Sequence, residues 1–160
     1  MEINRVKMDK QGELIKEPLG RIPERLWDYR GIHVAASDTD EEPTKIISVA
    51  SSTYKHIITV KCFSINTGKI VWTRVIPAKI TQEDFFNVCN YPAKKAVIVA
   101  TELVFMAISW TGEIFVHPQN IVIDGISRTV RSIGVYKEHI LLGLYDGRIC
   151  TYSLCKNSLL

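Results

Sequence analysis

The sequence predicts an all-β chain built as a repeated array of short antiparallel sheets. Three observations predict it. Helical periodicity is nearly absent, since no window of about a dozen residues carries apolar groups at i, i+3, i+4 and i+7 free of glycine and β-branched runs. Short runs rich in β-branched and aromatic residues, each bounded by turn residues, fill the chain instead. A strand–turn–strand element also recurs, its Thr-Gly turn standing at 67–68 and again at 111–112.

Taken in order, residues 3–8, 9–12 and 13–15 read as strand, polar turn and strand, with Gly12 as the turn glycine. Residues 16–30, with Pro18, Pro23, Trp27 and Tyr29, read as a linker whose Trp27 and Tyr29 pack on a neighbouring sheet or touch a partner. A first unit, 31–83, opens with a strand near 32–36 and continues with strands at 46–50, 56–63 and 69–75. A second unit, 84–128, places strands near 85–88, 96–100, 103–108 and 113–116. A third, 129–160, has strands near 130–135, 139–144 and 149–154 and then runs out, because 159–160 is too short for a fourth. Gly68 and Gly112 follow threonine where the outgoing strand begins, and Gly147 follows Asp146 in the turn before the third strand of its unit.

Four short strands per 40–50 residues, joined by tight turns, is the signature of a β-propeller blade. The wording of the turns carries the likeness further. INTGKIVW and SWTGEIFV resemble the outer hairpin of quinoprotein-like blades, a strand, a Thr-Gly turn and a strand ending in tryptophan; Trp72 takes that last place and Phe115 substitutes for it in the second unit. LLGLYDGRICTYSL resembles the inner hairpin of a WD-repeat, although the Gly-His and terminal Trp-Asp dipeptides are missing from these units and the one Trp-Asp pair is Trp27-Asp28. The chain thus resembles the WD-repeat and quinoprotein-like β-propellers over nearly its whole length. With 1–15 as the outer hairpin of a preceding blade, the expected fold is a single incomplete propeller-like array of about three and a half four-stranded antiparallel blades. Closed rings have roughly four to eight, so a protein partner, a second copy or the rest of a longer chain is expected to complete this one.

Composition narrows the function classes. One hundred and sixty residues, 46% hydrophobic and 23% charged, suit one folded domain and exclude a disordered tail, a collagen-like chain and a long coiled coil. No run approaches the roughly 20 apolar residues of a membrane-spanning helix, and residues 1–18 are too polar for a secretory signal, so the expectation is an intracellular protein, cytoplasmic or nuclear, with no membrane role. The cysteines at 62, 89, 150 and 155 form no CxxC pair and read as buried thiols. The net charge of +3 is too small to signal nucleic acid by itself, though Lys94 and Lys95 beside Tyr91, with Arg128 and Arg131, offer phosphate contacts near an aromatic ring.

Catalytic chemistry finds no footing. The acidic stretch SDTDEEPT lacks the glycine and final glutamate of an EF-hand loop. His33, His56, His117 and His139 have no local metal-ligand spacing, and no GxSxG, GxGxxG or GxxxxGK segment is present. The expected function is therefore a non-catalytic protein-interaction scaffold, without metal or cofactor, with nucleic-acid binding as the alternative. An unclosed array leaves sheet edges on which a partner can add a strand. The N-terminal hairpin near 3–15, the last strand with Ile149 and Tyr152, and the loops 37–44, 78–84 and 117–128 are the expected contact zones.

Overall fold

A computed structural model of the chain describes residues 2–21, 33–37, 44–52, 54–80, 87–153 and 158–159. The described residues form an all-β, propeller-like array of antiparallel sheets. Strands β1 (Glu2–Met8) and β2 (Leu14–Arg21) make a two-stranded hairpin. Its turn is held by Asp9, whose Oδ1 accepts from the backbone N–H groups of Gln11 and Glu13 at 2.8 Å each. β2 runs through Pro18 to Arg21, so 16–21 is strand rather than linker. The proline is tolerated because the ladder slips opposite Ile3 and Asn4 and because a two-stranded sheet has free edges on both sides. Pro23, Trp27 and Tyr29 lie outside the described residues.

Three four-stranded sheets follow, each a meander in chain order. The first contains β3 (His33–Ser37), β4 (Lys45–Ser52), β5 (Ile57–Ser64) and β6 (Ile70–Pro77). The second contains β7 (Asn87–Tyr91), β8 (Ala96–Ala100), β9 (Val104–Ser109) and β10 (Ile114–Asn120), with one 3₁₀ turn at Pro92–Lys94 between its first two strands. Between the second and third sheets, β11 (Val122–Ile123) and β12 (Ile126–Ser127) pair around Asp124 and Gly125. Both turn residues have positive φ, +54° and +74°, as a two-residue type I′ loop requires. Much of the expected loop 117–128 is therefore strand, either the end of β10 or this small hairpin. The third sheet contains β13 (Val130–Tyr136), β14 (His139–Leu144), β15 (Ile149–Ser153) and β16 (Ser158–Leu159). β16 pairs with Tyr152 and Ser153, a fourth strand where the sequence predicted none. Two residues are too few to show alternation, and backbone pairing needs none.

The turn glycines explain the shared hairpin geometry. Gly12, Gly112 and Gly147 have φ of +86°, +90° and +85°, and each closes a three-residue loop by donating to the carbonyl three residues back, those of Asp9, Ser109 and Leu144. A type I turn followed by a left-handed residue is that loop, and glycine meets it without the steric cost of a Cβ. Gly68 has φ +63° but donates four residues back, to Ser64, so its turn is one residue longer.

Strand β7 lies between β3 and β13, so the opening strands of the three sheets stand side by side and the later strands run outward. Two cores form between the sheets. The first joins Ile47, Val49, Ile58, Val60 and Cys62 to Val97, Val99, Met106 and Ile108; the second joins Ile98, Phe105 and Ala107 to Ile140, Leu142 and Tyr152. All five residues of β8 are buried. Val97 and Val99 enter one core and Ala96, Ile98 and Ala100 the other, which is why AVIVA shows no polar alternation.

Candidate functional site

The seam between the first two sheets is built by side chains of β6 reaching the β9–β10 turn. Trp72 Nε1 donates to the carbonyl of Trp110 at 3.0 Å, and Arg74 Nε donates to that of Gly112 at 2.7 Å. The indole lies against Gly112, where a Cβ would come within 3.0 Å of Trp72 Cδ2. Positive φ and absence of a side chain are thus both required at Gly112. Nothing in the local wording of Arg74 shows that it ties two sheets together.

The ladder also corrects the repeat. Trp72 pairs with Cys62 and Val116 with Ala107, each two positions after a pair, Ile70 with Phe63 and Ile114 with Ile108, and each past a register shift. Val116, not Phe115, is the equivalent of Trp72. Val116 is buried in the second core and Phe115 is exposed; the register shift falls at the same place in both hairpins, and the offset from Thr67 to Thr111 likewise sets Val116, one residue beyond Phe115, opposite Trp72.

The same ladders place the three sheets in one frame. Ile47 pairs with Cys62 and Val49 with Val60; Ile98 pairs with Ala107 and Ala100 with Phe105; Leu141 pairs with Thr151 and Gly143 with Ile149. On the face turned toward the next sheet, Ile47, Ile98 and Leu141 are therefore equivalent, as are Val60, Phe105 and Ile149. In the first two sheets this face is buried by the following sheet. In the third it is open: Ile149 is 74% and Tyr136 61% exposed, and Leu141, Gly143 and Thr151 are only half-buried. At the edge of this face the Lys137 ammonium lies over the Tyr136 ring, 5.3 Å from its centre.

Ile149, an expected contact residue, lies on this open face. Tyr152 does not. Its side chain points the other way and is fully buried in the second core, its ring 4.9 Å from that of Phe105 in an edge-to-face contact and its hydroxyl accepting from Gln119 Nε2 at 3.3 Å. The alternation of β15 decides this, since neighbouring odd and even positions face opposite sides.

The basic residues divide between the two ends of the array. Lys94 and Lys95 follow the end of β7 and share their end with the β9–β10 turn, the Lys95 carbonyl accepting from Trp110 N–H at 3.0 Å. Arg128 and Arg131 lie at the start of β13, which sits by the start of β7, Asn87 Nδ2 donating to the Arg131 carbonyl at 3.3 Å. The length of β7, roughly 15 Å, separates the pairs. Arg131 stacks over Tyr145 at 4.5 Å, and Arg128 faces Asp146 at 3.5 Å. Arg148 donates to Asp146 through Nε and Nη2 at 3.0 and 2.8 Å. These hydrogen bonds, helped by the nearby charge of Arg128, hold the Asp146 carboxyl below its ordinary range. A carboxyl depressed in the folded state stabilises above its unfolded value, and that contribution is lost as pH falls through the depressed one. Asp146→Asn is expected to lower the urea midpoint slightly at pH 7, with the gap from the native chain closing as pH falls from the ordinary carboxylate range through the depressed value; a gap independent of pH would show that the pairing contributes nothing.

Cys89 and Cys150 carry free thiols, and burial pushes the Cys89 thiol up against the smaller opposing effect of a backbone hydrogen bond with Val135. Among the described residues no group of three or more His, Cys, Asp or Glu side chains is placed to hold a metal ion. Among them, too, no helix is long and apolar enough to cross a membrane.

No family model matches the chain, and no curated protein matches it. Among solved structures it is similar to the crystal structure of HIRA(644-1017), with 12% sequence identity over 72% of this chain and a TM-score of 0.48. The match covers 33% of that chain, so this protein spans about a third of its length.

Proposed function

We propose that this protein is a non-catalytic interaction scaffold, a partial propeller-like subunit whose work is to bind other proteins inside the cell, in the cytoplasm or nucleus. One observation carries the reading. The second sheet is covered on both faces by its neighbours, whereas the equivalent outward face of the third exposes Ile149 and Tyr136. Apolar side chains gathered on one face of a sheet are a surface for protein contact. The nucleic-acid reading draws no such support, because Lys94 and Lys95 stand at the opposite end of β7 from Arg128 and Arg131, which are themselves engaged with Asp146 and Tyr145.

Affinity purification of the chain from its native cells, washed at rising salt, tests this. A stoichiometric protein retained at about 0.5 M salt is expected, since an apolar contact is insensitive to screening. Retention of nucleic acid alone, lost steeply with salt, would overturn the scaffold reading. So would the absence of any stoichiometric protein.

A further inference from the structure

The chain holds two Asp-Gly pairs, Asp124-Gly125 and Asp146-Gly147, and folds both into exposed hairpin turns. In such a pair the backbone nitrogen that follows the aspartate can attack the side-chain carboxyl carbon, because glycine has no Cβ to crowd the approach. We infer that Asp124-Gly125 is a self-modification site, at which the aspartate converts to isoaspartate, while the fold holds Asp146-Gly147 against the same reaction.

Two contrasts carry the inference. The attacking nitrogen is open at one turn and engaged at the other. Among the described residues nothing accepts from Gly125 N–H, whereas Gly147 N–H donates to the Leu144 carbonyl at 3.1 Å. The carboxyl groups differ in the same sense. The Asp124 side chain is 81% exposed, and the Arg148 Nη1 that faces it stands 3.9 Å away, beyond hydrogen-bond reach. Asp146 accepts at Oδ2 from Arg148 Nε and Nη2, and at Oδ1 from the Arg148 backbone N–H at 3.2 Å. Turning the Asp146 carboxyl toward Gly147 N breaks that set, and Asp124 has no such set to break. The same bonds hold Asp146 ionised, and a carboxylate is a poorer electrophile than a carboxylic acid. Room does not separate the two turns, since a Cβ at either glycine would meet nothing within 4 Å.

The reaction needs only water. Gly125 N bonds to Asp124 Cγ, the proton of that nitrogen and the carboxyl hydroxyl leave as one water, and a succinimide ring closes. Water then adds back. Attack at Cγ restores aspartate; attack at the main-chain carbonyl carbon of Asp124 breaks its bond to Gly125 N and leaves that carbon as a free carboxylate, with the chain running through Cβ and Cγ. The extra backbone carbon does not fit a two-residue type I′ loop, and β11 and β12 pair at two positions only, so the product opens this small hairpin. It is also a substrate for the class of methyltransferase that esterifies isoaspartyl carboxylates.

Incubation of the purified chain near neutral pH at body temperature tests the inference, with isoaspartate read as labelled methyl groups transferred by an isoaspartyl methyltransferase. Trypsin places the two pairs in separate peptides, 96–128 and 138–148. Label should accumulate in 96–128 at least about ten-fold faster than in 138–148, since each charge-assisted hydrogen bond that must break first slows the reaction by about that factor. In the chain unfolded by guanidinium the two rates should converge. Asp124→Glu, which would have to close a larger ring, should lose the label of 96–128. Arg148→Ala, which removes the side-chain bonds on Asp146, should raise the label on the peptide carrying Asp146 about ten-fold. Equal labelling of the two peptides in the folded chain, none in 96–128, or label there that survives Asp124→Glu would each overturn the site. A difference that persists in the unfolded chain, or an Arg148→Ala variant labelled as the native chain is, would overturn the protection assigned to the fold.

Discussion

Gly112→Ala should lower the free energy of unfolding by roughly 2–4 kcal/mol, two or more times the effect of Gly12→Ala. A Cβ in the left-handed region costs about 1–2 kcal/mol, and the two glycines share that cost with φ of +90° and +86°. They differ in what the new methyl meets. At Gly12 nothing lies within 4 Å, whereas at Gly112 the Cβ comes within 3.0 Å of Trp72 Cδ2 and 3.2 Å of an Arg74 guanidinium nitrogen. The indole must move, straining its hydrogen bond to the Trp110 carbonyl and opening the seam, an overpacking cost of about 1–3 kcal/mol. Urea denaturation of the two variants and the native chain measures the difference directly. Equal losses at the two glycines would show that Trp72 does not hold the seam.

Phe105→Ala and Ile149→Ala should differ still more. The two residues occupy equivalent positions, one fully buried beneath the third sheet and the other 74% exposed. Truncating Phe105 removes a ring packed on Tyr152 and leaves a cavity, for which about 3–5 kcal/mol is expected. Truncating Ile149 should shift stability by no more than about 0.5 kcal/mol. Denaturant midpoints again decide it. A cost above about 1.5 kcal/mol at Ile149 would mean that its face is covered in the isolated chain, and the proposed contact surface would go with it.

The wording of particular segments shows how much was legible beforehand. AVIVA at 96–100 reads as a strand from its β-branched residues and the turn residues that bound it, and the Thr-Gly pairs ending in Gly68 and Gly112 located two hairpin turns. The register shift that separates Trp72 from Val71, and Val116 from Phe115, was not legible. A bulge changes which residue faces inward without changing composition, whereas the equivalence of Trp72 with Val116 was legible in the offset from Thr67 to Thr111, which the reading of Phe115 missed by one residue. β16 escaped for a related reason, two residues giving no periodic signal.

The contact residues divide in the same way. Ile149 and Tyr152 are both apolar members of one strand and were expected to act together, yet one is open and the other buried. Their parity was readable from the alternation of β15, but which parity faces the second sheet is settled only when the sheets stack. Lys94, Lys95, Arg128 and Arg131 look like one basic group along the chain, and β7 sends them to opposite ends. Sequence by itself determined the class of fold, the strands and the turns that demand glycine, because these follow from local steric preference and from a hydrophobic period that each segment carries within itself. Only the tertiary structure decided the seam of Trp72, Arg74 and Gly112 and the open face of Leu141 and Ile149, because which face is covered depends on what the neighbouring sheet brings to it.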